Sequence, residues 1–158
     1  MDAIIIGLVS DTHGLFRPSI SDALAGVSLI LHAGDVGGEF ILQALGAIAP
    51  VRAVSGNVDT EGPPLASSLQ LEMGGLSIHV SHGHELGSPA PHALLARYRA
   101  DIIVFGHTHK PLVHRQGTRL VVNPGAAGAR RFNLKPSVAK LRIADGMVTA
   151  EIIRLPDE

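Results

Sequence analysis

The stretch AIIIGLVSDTHG, Ala3 to Gly14, is an unbroken apolar run that stops at once in a cluster of small polar and ionisable residues. An apolar run of strand length without alternation reads as a strand covered on both faces, the habit of sheets with a layer on each side. The pattern recurs along the chain. VSLIL at 27–31 runs into His32-Ala33-Gly34-Asp35, VRAV at 51–54 into Ser55-Gly56-Asn57, and LSIHV at 76–80 into Ser81-His82-Gly83-His84. DIIVF at 101–105 then runs into Gly106-His107-Thr108-His109, and TRLVV at 118–122 into Asn123-Pro124-Gly125. Helix-length segments lie between, at 18–26, 38–49 and 89–99, the first opening on a proline suited to a first turn and closing on glycine. This alternation predicts an α/β fold. Towards the end, 138–143 and 147–153 flank Asp145-Gly146, a hairpin signal that adds antiparallel strands to the second half. The Gly/Pro-rich segments 60–68 and 123–136 read as loops rather than linkers, so one domain over 1–158 is expected.

Composition narrows the function classes. Apolar residues make up 46% and charged residues 17%, enough core material for a chain that folds alone. Thirteen basic against 14 acidic residues, with no run of one sign, predict no specific nucleic-acid partner. The chain has no cysteine, which excludes disulfides, thiolate zinc sites, iron-sulfur clusters and cysteine nucleophiles. Any metal must therefore sit on nitrogen and oxygen. No stretch approaches the ~20 apolar residues of a membrane span, and the first apolar run lacks the flanks of a signal peptide, so no membrane partner and a cytoplasmic location are expected.

In open α/β sheets ligands bind beyond the carboxyl ends of the strands. Each polar cluster occupies that position, which would gather Asp11, His13, Asp35, Asn57, His82, His107 and His109 around one rim. Imidazole, carboxylate and amide without sulfur form a borderline to hard ligand set, suited to manganese, iron, cobalt, nickel or zinc. Seven ligands exceed what one ion takes when a position stays open for water, so two divalent metal ions are implied, about 3.5–4 Å apart if a carboxylate bridges them. Two such ions less two aspartates leave a charge of about +2, which selects a small anionic phosphoester as substrate. His107 and His109, one residue apart, would face the same side if their segment is extended, each reaching a different ion. Of the other histidines, His32 and His79 read as hydrogen-bonded core residues, His92 and His114 as exposed, and His84 as either a partner of the ligands or a loop residue.

Taken in order, Asp11-Thr12-His13, Gly34-Asp35, Gly56-Asn57, Ser81-His82-Gly83, Gly106-His107-Thr108-His109 and Asn123-Pro124-Gly125 resemble the motifs of the calcineurin-like metallophosphoesterase superfamily. The Gly56-Asn57-Val58-Asp59 form and the His82-Gly83-His84 pair are similar to its small bacterial and archaeal phosphodiesterase branch. The resemblance implies a four-layer sandwich of two mixed β-sheets flanked by helices. It implies one ion on Asp11, His13, Asp35 and His109 and another on Asp35, Asn57, His82 and His107, with Asp35 bridging. It further implies a phosphodiesterase whose metal-bridging hydroxide attacks phosphorus, with Asp11, His13, Asp35 and Asn57 catalytic and Asn57 also on the substrate. Manganese is the first expected metal, with nickel, iron, zinc, cobalt or magnesium as alternatives.

Many members carry a histidine after the Gly-Asn that protonates the leaving group, and Val58 stands there instead. Asp59 is then either a substitute acid or a turn carboxylate. Arg130 and Arg131 either bind phosphate or are surface arginines. A homo-oligomer is compatible with the sequence. The alternative reading is a scaffold like the retromer subunit of this fold, which keeps a metal site while its main role is protein interaction. Two rival hydrolase classes fail on their motifs: His109 is followed by Lys110-Pro111 rather than Asp-His, and no His-Asp dipeptide occurs.

Overall fold

The computed structural model describes residues 3–59, 64–87, 89–130 and 133–156. Its strands are β1 (Ile4–Val9), β2 (Leu29–His32), β3 (Val51–Ala53), β4 (Ser68–Met73), β5 (Leu76–Ser81), β6 (Ile102–Val104), β7 (Leu112–Gln116), β8 (Arg119–Asn123), β9 (Ser137–Ala144) and β10 (Met147–Arg154). Three short helices, α1 (Ser19–Ala23), α2 (Glu39–Gly46) and α3 (Pro91–Arg97), fall inside the three predicted helical segments. Pro18 caps α1 rather than standing within it.

Two five-stranded sheets form, ordered β10-β9-β1-β2-β3 and β4-β5-β6-β8-β7. Each has a parallel centre, β1-β2-β3 in one and β5-β6-β8 in the other, and antiparallel strands complete it. Register aligns the strand ends: Val9 lies opposite His32 and His32 opposite Ala53, while Val80 lies opposite Val104 and Val104 opposite Val122. The loops that follow therefore leave each sheet at one level.

Alternate residues of the continuous apolar runs go to opposite faces, as the period of a strand requires. Ile6, Leu8, Leu31, Ile78, Val80, Ile102 and Val104 pack between the two sheets. Val9 and Ile30 meet Ile20 of α1, Leu24 at its C-cap, and Ile41 and Leu45 of α2 on one outer face. Ile103 and Val121 meet Leu94 and Leu95 of α3 on the other. Fully burying one such aliphatic side chain is worth about 1.5–3 kcal/mol, so these interlayer clusters hold the strand ends in register. Helix–sheet–sheet–helix layering follows, the four-layer architecture expected.

The β9–β10 hairpin turns at Asp145 and Gly146 with φ of 54° and 73°, the positive pair that an Asp-Gly turn supplies. β4 was not expected. Its burial alternates, with Leu69, Leu71 and Met73 packed on the inner core and Ser68, Gln70 and Glu72 outward. Such an edge strand, half apolar, lacks the continuous run that marks the central strands. Among the described residues no helix is long and apolar enough to cross a membrane.

Candidate metal centre

Asp11 and His13 follow β1, Asp35 follows β2, Asn57 follows β3, His82 follows β5, and His107 and His109 follow β6. The aligned parallel strands bring six of these seven to one place. Oδ1 of Asp11 lies 3.6 Å from Nε2 of His13, 3.7 Å from Nε2 of His82 and 3.3 Å from Nε2 of His109. Oδ2 of Asp35 lies 3.6 Å from Nε2 of His13 and 3.2 Å from Nε2 of His82. His107 stands edge-on to His82 with ring centroids 5.2 Å apart, and His109 is 5.3 Å from His13. The histidine pair therefore divides, one beside each half of the cluster. Asp11, His13 and His109 form one group able to hold a cation, and Asp11, Asp35 and His82 a second. Asp35 lies near histidines of both halves, but Asp11 is the carboxylate that the two groups share, which the expected ligand sets did not include.

Asn57 is exposed, and its side chain makes no hydrogen bond with the described residues. Its neighbour Val58 donates its N–H to Oδ1 of Asp35 at 3.1 Å, so Asn57 stands at the edge of the cluster.

A cation fits the unpartnered atoms. Oδ1 of Asp11, Nε2 of His13, Nε2 of His82 and Nδ1 of His109 are buried with no hydrogen-bond partner. Such atoms are costly unless something satisfies them. Most of the imidazole–carboxylate distances exceed hydrogen-bond length, so the lone pairs converge on shared space rather than on each other. Nδ1 of His82 lies 2.8 Å from the carbonyl of Ala33. A carbonyl only accepts, so Nδ1 carries the proton and Nε2 presents its lone pair, the outer-shell arrangement of metal-bound histidines.

Charge points the same way. Burial pushes the Asp11 carboxyl up, but contacts with His109, His13, His82 and Ser10 outweigh it and hold the group well below the usual carboxylate range. Burial likewise raises Asp35, and His82 with the Val58 N–H brings it down. Burial lowers His82, and Asp35 and Asp11 more than reverse that. His107 is lowered, chiefly by burial. Two ionised carboxylates beneath a ring of imidazoles make a site that draws positive charge.

The backbone at these residues is unusual. Among described non-glycine residues with positive φ, five of six are candidate ligands: Asp11 at 53°, His13 at 47°, Asp35 at 56°, His107 at 72° and His109 at 64°. Each such conformation costs roughly 1–3 kcal/mol and persists where surrounding structure imposes it, typically at functional sites. This corrects the expectation of an extended segment at 107–109. Thr108 N–H donates to the Gly106 carbonyl at 2.8 Å, closing a tight turn, so the two histidines reach the site through left-handed backbone rather than strand alternation.

Glycines and a supporting shell make the loops fit. A Cβ on Gly56 would strike Oδ1 of Asp35, one on Gly106 would strike Oγ of Ser10 and lie 2.7 Å from Oδ2 of Asp11, and one on Gly34 would lie 2.8 Å from Nδ1 of His82. Ser10 Oγ donates to Oδ2 of Asp11 at 2.6 Å. The amide of Asn123 donates to the Gly106 carbonyl and to Oγ1 of Thr108, so the Asn-Pro-Gly motif braces the turn carrying His107 and His109. Only that motif hinted at this shell in the sequence; Ser10 carried no signal.

Asp59 accepts from the N–H groups of Val36, Gly37 and Gly56 at 2.9–3.1 Å, using both oxygens. It clamps the loop of Asp35 to that of Asn57, the geometry of the turn carboxylate rather than of a free acid. His32 is fully buried and bonded on both ring nitrogens, as expected of a core residue. His79 is buried but stacked on Tyr98 with ring centroids 3.7 Å apart, and neither nitrogen has a hydrogen-bond partner, unlike the bonded core residue expected. His84 is exposed beside His82 and His107. Arg130 is exposed on the loop whose Gly128 N–H donates to the Asp11 carbonyl; Arg131 lies outside the described residues. A cavity of about 790 Å³ between β4, β5 and residues 97–100 shares no residue with the cluster.

Two mixed sheets with a histidine–aspartate cluster at their aligned strand ends define a metal-binding α/β sandwich. The chain belongs to the calcineurin-like phosphoesterase superfamily, whose domain it matches over residues 4–146. It is 36% identical to a probable metallophosphoesterase of Methanothermobacter thermautotrophicus over 96% of this chain and 92% of that protein. It is 27% identical to phosphodiesterase MJ0936 of Methanocaldococcus jannaschii over 76% and 82%. Among solved structures, wild-type Vps29 from Entamoeba histolytica in complex with zinc matches with a TM-score of 0.76 at 25% identity, over 96% of this chain and 99% of that one.

Proposed function

We propose that this chain is a metal-dependent phosphoesterase that hydrolyses phosphodiesters in preference to monoesters, using two divalent cations, manganese first among them. The observation that carries the reading is the convergence of unpartnered buried ligand atoms from Asp11, His13 and His82, with Nε2 of His109, beside Asp35. Asp11, His13, Asp35, His82, His107 and His109 would hold the cations, with Asn57 completing the set from the edge. Divalent cations bound there would polarise phosphoryl oxygens and make water nucleophilic near neutral pH. The chain's own contribution is positioning: buried carboxylates fix the charge, Ala33 fixes the His82 tautomer, and Asp59 and Asn123 hold the loops. With Val58 where a leaving-group acid would stand and Asp59 engaged by backbone N–H groups, esters whose leaving group departs without a proton are favoured. General-acid help is worth about 10²–10⁴ in rate, so aryl diesters should exceed alkyl diesters.

The test is elemental analysis of the purified protein with hydrolysis of aryl diesters and monoesters, after chelation and after adding back manganese, nickel, zinc or magnesium. Turnover that vanishes on chelation and returns with manganese supports the reading; metal-free protein without turnover under every addition overturns it. The likeness to Vps29 favours a second reading, a binding module that keeps its metal site. Bound metal without diester turnover would select that one.

A further inference from the structure

The cavity of about 790 Å³ beside β4 and β5 has the volume of a ligand pocket and stands apart from the metal cluster. One wall is the outward side of the β4–β5 pair, with Gln70, Glu72 and His79, and the other is the segment that ends α3, with Arg97, Tyr98 and Arg99. That segment is held in place from behind. The guanidinium of Arg119 donates to the carbonyls of Leu95, Tyr98 and Ala100, which fixes the backbone that presents the two arginines. Arg97 and Arg99 are exposed, and among the described residues neither they nor Glu72 form an ion pair. His79 lines the cavity at 2% exposure, stacked on Tyr98, with both ring nitrogens unpartnered. Whichever nitrogen carries the proton, one donor and one acceptor go unmet, a costly arrangement that the fold itself does not relieve.

We propose that this cavity is a second ligand site, for a small phosphomonoester: Arg97 and Arg99 take the phosphoryl dianion, and Gln70 and Glu72 take hydroxyl groups on its organic part. Charge and size select the class. Two guanidiniums free of carboxylates suit a doubly charged group with paired oxygens, whereas Glu72 calls for donors and the volume exceeds what a phosphate ion fills. Tyr98 links the cavity to the metal centre. Its hydroxyl donates to Oε2 of Glu85 at 2.7 Å, and Oε1 of Glu85 accepts the N–H of Gly83, the residue after His82, at 3.1 Å. A ligand that shifts Tyr98 off His79 relieves the unmet nitrogens and is felt at the His82 loop through one hydroxyl and one carboxylate. The inference goes beyond the phosphoesterase reading and does not depend on it, since filling the cavity requires no turnover.

The probe is ribose 5-phosphate, titrated into isotope-labelled full-length protein loaded with magnesium and again after chelation, so that phosphate held by the metal centre is told apart. In both states the amide resonances of Ser77, Tyr98 and Arg99 should shift together, at lower concentration than with inorganic phosphate or with ribose. Arg97→Gln/Arg99→Gln should weaken that titration by at least about tenfold, the loss of hydrogen bonds to a charged group. Arg99→Gln alone, at an exposed residue outside α3, should weaken it in the same direction should the double variant not fold. Shifts confined to the metal ligands and seen only with magnesium, ribose or inorganic phosphate titrating as tightly as ribose 5-phosphate, or variants that titrate like the wild type, overturn the site. The link is read at Gly83. Its amide should move with those of the cavity in the wild-type protein and stay in place in Tyr98→Phe, which keeps the ring and loses the hydroxyl; a Gly83 amide that ignores the ligand in the wild type, or follows it in the variant, overturns the link. Absence of diester turnover with any metal would sink the phosphoesterase reading alone, while these titrations still decide the cavity.

Discussion

His32 is a proton-linked clamp, and its geometry fixes both the sign and the size of its effect on stability. Thr12 donates its one hydroxyl proton to the Val36 carbonyl at 2.7 Å, so its oxygen, 2.9 Å from Nε2 of His32, must accept from the ring. Nδ1 of the same ring accepts from the Gly34 N–H at 3.1 Å. The neutral ring is thus fully satisfied and ties the loop carrying Asp11 and His13 to the loop carrying Asp35. A second proton would set N–H against N–H. Complete burial, only partly opposed by Asp11 and Asp59, holds the group down at about 4, against 6.5 ordinarily. Because the folded value is the lower one, the unfolded chain binds the proton first on acidification. The contribution is therefore full above pH 6.5 and is lost as pH falls towards 4. At about 1.4 kcal/mol per pH unit the whole loss is about 3.5 kcal/mol, of which about 2 kcal/mol is gone by pH 5. The assay is urea unfolding of metal-free wild-type protein and His32→Gln from pH 7.5 to 5. The difference between the two should shrink by about 2 kcal/mol as pH drops, because the variant lacks the titrating group while the other histidines cancel. Parallel curves over that range would refute the assignment.

Three further outcomes are expected. Gly106→Ala should displace Asp11 through contact with Ser10 and Oδ2 and cost about 1–3 kcal/mol with loss of bound metal, whereas Gly46→Ala, with nothing within 4 Å in α2, should gain up to about 1 kcal/mol; elemental analysis and thermal unfolding read both. Asp59→Asn, which keeps one acceptor oxygen but turns an NH2 donor against N–H groups that the other oxygen served, should lower kcat/KM for aryl and alkyl diesters by the same factor, about tenfold; a loss about 10²-fold greater on alkyl diesters would make Asp59 the acid after all. Acidification through about pH 6.5 should release metal and activity together, because the ligand imidazoles must be neutral to bind and His82 holds its proton more tightly than an ordinary histidine; metal content constant to pH 5 would contradict the ligand set.

What was legible in the chain is what a strand and its exit determine locally. Runs such as IIIGLV and DIIVF carry their two-sided burial in their own composition, and the Asp-x-His and Gly-His-Thr-His clusters that follow mark the rim because strands in parallel register end together. β4 stayed hidden because an edge strand with Leu69, Leu71 and Met73 on one face has no continuous run, although the Gly74-Gly75 turn that joins it to β5, with φ of 59° and 83°, is a hairpin signal present in the sequence. The paths of His107 and His109 were hidden for a deeper reason. Alternation holds only where φ is extended, and left-handed backbone at a histidine is imposed by tertiary contacts, here Asn123 holding Gly106 and Thr108, and Asp11 accepting the His107 N–H. The glycines show the boundary between the two kinds of information. Gly34, Gly56 and Gly106 each precede or neighbour a ligand in sequence, but only the fold reveals that the space of each missing Cβ belongs to another loop: His82 at Gly34, Asp35 at Gly56, and Ser10 with Asp11 at Gly106. Three loops far apart in the chain are thereby interlocked at contact distance, so a methyl group at any one of them acts on a ligand held by another. Glycine at these positions is a tertiary requirement written in a local residue.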